Sequence, residues 1–208
     1  MHATASHVLL VRNLAASLIK PLDAEAAGSL QSIRHVPIAS VALGYPAEAV
    51  EHPLDGFGLL CCSDSPMPPE APILGVLFSS SIFEGRAPEG RVLLEVMIGG
   101  DRDPEALDQE DSALLERATR AAEGLLGAQG VPVFHAVTRW APVLPQYAPS
   151  HGQLVEGIEE RVGELGALAL AGNYLRGVGV EGAAASGIAA VERLLGKAPS
   201  DPQTDELG

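Results

Sequence analysis

Basic residues are scarce in this chain. Thirteen Lys and Arg stand against 27 Asp and Glu in 208 residues, a formal charge of −14. Nucleic-acid binding needs a basic stripe to neutralise phosphates, so that class of function is excluded. Charge-driven adhesion to anionic lipid fails for the same reason. Net charge does not steer acidic substrates either, although a local basic spot is compatible with it. Cysteine is nearly absent, and the only two, Cys61 and Cys62, are adjacent. Neighbouring strand residues point to opposite faces, so a structural disulfide between them is not expected. No metal-ligand spacing surrounds them, and they read as two buried thiols in a reducing compartment. No apolar run approaches the roughly 20 residues of a spanning helix, and no secretory pattern follows Met1. The expectation is a soluble cytoplasmic protein, with an exposed apolar patch as the only route to peripheral membrane contact.

Catalytic constellations are missing too. His2, His7, His35, His52, His135 and His151 form no H-x-x-x-H pair and no cluster with carboxylates at ligand spacing. His151, beside Tyr147, is the one worth testing. Ser79, Ser80 and Ser81 lie in no nucleophile elbow, and G-x-S-x-G occurs nowhere. Glu159 and Glu160 fall on the polar face of a helix and read as solvation, not as a glycosidase pair. No catalytic side chain and no metal site is assigned.

Hydrophobic residues make up 47% of the chain, enough to bury a core for one domain or a large lobe. Pattern and punctuation predict a strand over 7–11 and a helix capped by Asn13 that carries Leu14, Leu18 and Ile19. A second helix, capped by Asp23, leads to a strand over 36–44. Strands over 57–62, 73–80 and 91–98, joined by proline- and turn-rich links, predict an antiparallel sheet. Next comes a helix from Asp111 to a stop at Gly127, then a strand over 131–140. Ser150 and Gln153 suggest a capping box for a helix bearing Leu154, Ile158, Val162 and Leu165. The order of elements gives α+β (mixed α/β): an antiparallel or mixed sheet with helices, and a C-terminal strand, glycine turn and helix.

That last unit organises the rest. A short apolar run over 167–171 precedes Gly172, Gly177, Gly179 and Gly182, and a helix rich in good helix formers follows over 183–195. Strand, glycine turn and helix lay backbone N–H groups and the positive helix end against an anionic or polarised ligand. Glycine lets a flat ligand approach the main chain, although the same pattern also serves close packing alone. The turn is taken as neither a Walker loop nor a G-x-G-x-x-G dinucleotide turn.

Its residues say more. AGNYLRGVGV (171–180) resembles the C-terminal cofactor segment of the protoporphyrinogen oxidase family, flavin enzymes with the amine-oxidase-like fold. DGFGLL (55–60), ILGVLFSSSIFEGRAPEG (73–90) and TRWAPVLPQY (138–147) are similar to further segments of that family, in its order and at about its spacing. The resemblance runs from about His7 to Leu195. It implies FAD as cofactor, with Val178, Gly179 and Val180 at the flavin ring. Gly172, Asn173 and Gly177 belong to the same segment, and Trp140 to one near the ring. Phe57, Leu60, Leu77 and Met97 correspond to walls that hold the tetrapyrrole in relatives. Without the resemblance, those four read equally well as ordinary sheet core, and Trp140 as a buried indole with a bonded N–H.

The implied reaction is oxidation of protoporphyrinogen IX, or the close alternative coproporphyrinogen III, to the porphyrin by oxygen in haem biosynthesis. The implied layout is a substrate-binding lobe over 1–150, part of the FAD-binding lobe over 151–196, and a disordered tail over 197–208. Relatives hold the adenosine diphosphate of FAD on an N-terminal strand, G-x-G-x-x-G turn and helix. Gly28, Gly44, Gly56 and Gly58 do not form that unit. The chain therefore resembles the C-terminal half of the family only, and is expected to hold FAD weakly unless an N-terminal half or a homologous chain completes it. An arginine that relatives supply from that half, to meet a substrate carboxylate, is missing as well. Cys61-Cys62 stands where Val-Pro is usual, Gly182-Ala183 where Asp-Cys is common, and 11–13 where Ala-Thr-Pro is common. Apolar surfaces awaiting a partner also make a homo-oligomer an option. The alternatives are a truncated non-catalytic module that binds a porphyrin or a partner, and a fragment of a longer reading frame.

Overall fold

Strand β1 (Ser6–Leu9) pairs in parallel with β7 (Leu168–Ala171), bringing residues 162 positions apart into register, as Val8 opposite Leu170 illustrates. The computed structural model describes residues 6–9, 12–62, 72–166 and 168–196. It divides into two compact units, 1–35 with 145–208, and 36–144. The first 35 residues, expected within a lobe over 1–150, group with the C-terminal part, with which β1 pairs through β7. The tail over 197–208 and the proline-rich link over 63–71 lie outside the described residues.

In the first unit, α1 (Arg12–Ile19), α2 (Ala24–Ser32) and α5 (His151–Glu164) share a core. Ala15, Ala16 and Ile19 of α1 meet Ala26, Ala27 and Leu30 of α2, with Val155, Ile158 and Val162 of α5 alongside. Alanines at the contact let the helices approach closely. The buried stripe of α1 leaves Leu14 and Leu18 exposed, and Asn13 lies inside the helix and not at its cap. Asp23 does cap α2, accepting from Glu25 N and Ala26 N at 2.9 Å each. Arg161 donates to both Asp23 oxygens and holds that carboxyl below the usual carboxylate range. Ser150 occupies the N-cap of α5 but makes no capping bond through its side chain, so the expected capping box does not form.

The second unit is a five-stranded sheet in the order β3 (Gly58–Leu60), β4 (Gly75–Leu77), β5 (Arg91–Gly99), β2 (His35–Pro46), β6 (Phe134–Pro145). The pairs β3–β4 and β4–β5 are antiparallel, as the links between them predict, and β5 pairs antiparallel with β2 as well. Along β5 the two-residue period is plain: Leu94, Val96 and Ile98 are fully buried, while Leu93, Glu95 and Met97 between them are half-buried. Helix α4 (Asp111–Leu126) covers the buried face with Leu114, Ala118, Ala121, Ala122 and Leu126. It stops at Gly127, whose φ of 62° is the left-handed C-cap read from the sequence. The serine run starts a short helix, α3 (Ser79–Ile82), so β4 ends sooner than expected. Cys61 is buried but Cys62 is exposed, which corrects the expectation of two buried thiols: adjacent residues leave the backbone on opposite sides.

Candidate functional site

The register of the sheet decides which side chains share its second face. Leu60 lies opposite Gly75, Gly75 opposite Met97, and Met97 opposite Ser40. In the row alongside, Gly58, Leu77, Glu95 and Ala42 are aligned. Residues two apart on a strand and residues paired across strands point the same way, so Leu60, Leu77 and Met97 all project from the face opposite α4. Helix α3 borders that face, where Ser79 reaches Glu95, and the row nearer β3 is left open. Leu60 is 89% exposed, and Phe57, just before β3, is 68% exposed. These residues are therefore not the ordinary sheet core that pattern alone allows.

Trp140 joins them. On β6, Val137 packs against the core, and Arg139 reaches the Leu107 and Gln109 carbonyls and Asp111 at the start of α4. The Cβ of Phe134 lies 3.1 Å from where a Cβ on Gly44 would sit, on the opposite side of the strand. Alternation then sends Trp140 out with Phe134 onto the open face, and its ring is 53% exposed, not a buried indole.

In the middle of this apolar face stands Glu95. The Ser40 hydroxyl donates to its Oε1 at 2.6 Å and the Ser79 hydroxyl to its Oε2 at 3.3 Å. Both serines are themselves buried, so the carboxylate is held in place. Glu95 is absent from the residues picked out by sequence, although its signal was there: a charge two residues before Met97 on the same strand must share the face of Met97.

The first unit carries the glycine turn and α6 (Val180–Leu194), which begins three residues earlier than expected. Several side chains pin the turn. Tyr147 donates to the Asn173 carbonyl, His151 Nε2 donates to the Leu175 carbonyl at 2.9 Å, and the two rings stack at 3.9 Å. His151 is thus a satisfied, buried histidine. The Gly172 N–H donates to Ser186 Oγ on α6 at 2.8 Å. Arg176 bonds both oxygens of Glu159 at 2.6 and 2.7 Å, and Arg193 adds a third bond at 2.7 Å. Burial alone would raise the pKa of Glu159, but these guanidinium groups outweigh it and hold the carboxyl below its ordinary value. Glu159 is therefore a structural anchor and not mere solvation. Glu160 remains exposed.

Gly177, Gly179 and Gly182 do stand at G-x-G-x-x-G spacing, contrary to the expectation that this turn lacks it. The geometry differs from a dinucleotide turn all the same. Residues 172–176 separate β7 from Gly177, and a Cβ on Gly182 would strike the Gly177 carbonyl oxygen at 2.5 Å. The third glycine packs α6 onto the turn itself. In contrast, a Cβ on Gly179 meets nothing within 4 Å. Gly179 is the N-cap of α6 and offers no side-chain cap, leaving first-turn amides beside exposed Val178 and Val180. Free donors next to open apolar surface fit the polarised edge of a flavin ring. No group of metal-ligating side chains occurs among the described residues.

One unit thus presents a helix tip over an uncrowded glycine, and the other a largely apolar sheet face with a central carboxylate, within a mixed α+β fold. The chain belongs to the flavin containing amine oxidoreductase family, whose model matches residues 5–195. It is 34% identical over 206 residues to protoporphyrinogen oxidase 1, chloroplastic, of Spinacia oleracea, covering 92% of this chain and 36% of that protein. It is 31% identical over 205 residues to coproporphyrinogen III oxidase of Propionibacterium freudenreichii, covering 95% and 38%. The chain therefore spans about a third of the length of these curated relatives. Among solved structures, reduced UDP-galactopyranose mutase superposes with a TM-score of 0.62 at 16% identity, over 84% of this chain and 36% of that one. A protein from Exiguobacterium sp. 255-15 gives 0.74 at 18% identity, over 90% and 40%. At such identities these two likenesses concern the fold alone.

Proposed function

We propose that this chain supplies the tetrapyrrole-facing sheet and a ring-facing turn of an FAD-dependent porphyrinogen oxidase. The substrate is protoporphyrinogen IX or coproporphyrinogen III, and oxygen takes the electrons. The observation that carries the reading is the shared open face: Leu60, Leu77 and Met97 come from three different strands and project together, and alternation along β6 adds the exposed Trp140. Apolar and aromatic side chains of this kind suit a flat macrocycle.

On this reading the open face orients the macrocycle and excludes water from it. Glu95, fixed by Ser40 and Ser79, offers the face an acceptor for ligand N–H groups. In the other unit the first-turn amides of α6, with Val178, Gly179 and Val180, would hold the polar edge of the flavin ring, and Gly172, Asn173 and Gly177 would shape the turn behind them. FAD, when bound, supplies the hydride acceptor. The partner this implies is a dinucleotide-binding half, on the same or another polypeptide. No helix of the described residues is long and apolar enough to cross a membrane.

The test is porphyrin fluorescence from aerobic mixtures of the protein, FAD and either porphyrinogen, with and without an added dinucleotide-binding half from a relative. Porphyrin formed faster than in protein-free controls, and dependent on FAD, is the expected result. Failure of every combination to retain flavin or to accelerate oxidation would overturn the reading in favour of a non-catalytic module.

A further inference from the structure

Four residues along β5 from Met97, the same open face deepens. Gly44 and Leu93, paired in register, line a cavity of about 450 Å³ with Val133, Phe134, Arg86 and Arg91. Its size falls in the range of small-molecule pockets. At a strand rise of about 3.3 Å per residue, Leu93 lies about 13 Å from Met97, a span on the scale of a tetrapyrrole.

The two arginines set this cavity apart. Arg117, Arg139, Arg161, Arg176 and Arg193 are each held by a carboxylate. Arg86 and Arg91 have no carboxylate or carbonyl partner among the described residues; the one contact is the Arg86 guanidinium over the Phe83 ring at 5.4 Å. In a chain with a formal charge of −14, carboxylates to pair with are plentiful. Two guanidinium groups left without one, both bordering an apolar cavity, match a ligand that joins an apolar body to a carboxylate. Guanidinium is the group best shaped to receive a carboxylate, through paired charge-assisted hydrogen bonds.

We propose that this cavity is a carboxylate subsite: Arg86 and Arg91 receive the propionate arms of the tetrapyrrole whose ring lies against Leu60, Leu77 and Met97. The subsite rests on the reading of the open face as the macrocycle site. It also supplies, from within this chain, the local basic spot that the overall charge obscures.

Trp140 is the only tryptophan, so its emission reports on the face directly. The purified protein is titrated with protoporphyrin IX and with its dimethyl ester, which keeps the ring and lacks the charges. The wild type is expected to bind the diacid at least tenfold more tightly than the diester. Combined Arg86→Ala and Arg91→Ala substitution abolishes that preference by weakening the diacid alone, and combined Arg86→Lys and Arg91→Lys substitution restores part of it. Unchanged circular dichroism and unchanged diester affinity confirm that the fold and face survive. Equal binding of diacid and diester by the wild type, or a preference that persists in the double alanine variant, overturns the subsite while leaving the macrocycle reading intact. Quenching by neither ligand overturns the macrocycle reading, and the subsite with it.

Discussion

Gly182 sits so close to Gly177 that no side chain fits between them: a Cβ on Gly182 would lie 2.5 Å from the Gly177 carbonyl oxygen and 2.7 Å from its Cα. The start of α6 is thereby locked to the turn that precedes it. Gly182→Ala must push the two apart, and a loss of about 1–3 kcal/mol in unfolding free energy is expected, read by denaturant titration. Gly179→Ala is the contrasting case. Nothing occupies the space around Gly179, so stability changes little, but a methyl group there would hold a flavin ring away from the helix tip. Equal flavin retention by Gly179→Ala and wild-type protein, measured by flavin fluorescence after gel filtration, would count against the turn as a ring-facing element.

Leu60 tests the sheet face in the same spirit. It is 89% exposed, so Leu60→Asp alters stability by no more than about 0.5 kcal/mol. A carboxylate at that point of an apolar face should weaken protoporphyrin IX binding tenfold or more, as seen in the quenching of Trp140. Undiminished quenching would move the macrocycle off this row.

Glu159 makes the stability of the first unit depend on pH. Its side chain is only 13% exposed, and Arg176 and Arg193 depress its folded-state pKa below the unfolded value. A depressed carboxyl contributes stability above its unfolded pKa and loses it as pH falls through the folded one. Glu159→Gln should therefore cost about 1–2 kcal/mol at neutral pH and little at strongly acidic pH. Thermal melts across the acid range check this, and parallel pH profiles for the two proteins would refute it.

Tyr174 points the other way. Its ring is fully buried among α1, α2 and α5, its hydroxyl has no hydrogen-bond partner among the described residues, and burial pushes its pKa well above the usual phenol value. Removing an unsatisfied buried hydroxyl relieves its desolvation penalty, so Tyr174→Phe is expected to stabilise the protein by about 1 kcal/mol. A lower melting temperature in that variant would reveal a partner for the hydroxyl.

Local chemistry explains what was readable in advance. The Asp23 cap, the Gly127 stop and the antiparallel run β3–β4–β5 each follow from a few neighbouring residues, and each is found in the structure. Features that depend on distant partners were not legible. The pairing of β1 with β7 carries no local mark, so the grouping of the first 35 residues with the C-terminal part was not visible in the sequence. Leu14 and Leu18 fit a helical stripe, yet the small Ala15 and Ala16 permit closer packing and take the buried side instead. The apolar members of the candidate face came from family resemblance, and register brings Leu60, Leu77 and Met97 together. Glu95, Arg86 and Arg91 were missed because the significance of each lies in what surrounds it: two serines around a carboxylate, and an apolar cavity beside guanidinium groups with no carboxylate partner among the described residues.

A crystal structure of the protein with protoporphyrin IX tests the central claim most directly. The macrocycle should lie across β3, β4 and β5, in van der Waals contact with Leu60, Leu77 and Met97 on the face opposite α4. A porphyrin bound elsewhere, with that row of side chains bare, would contradict it.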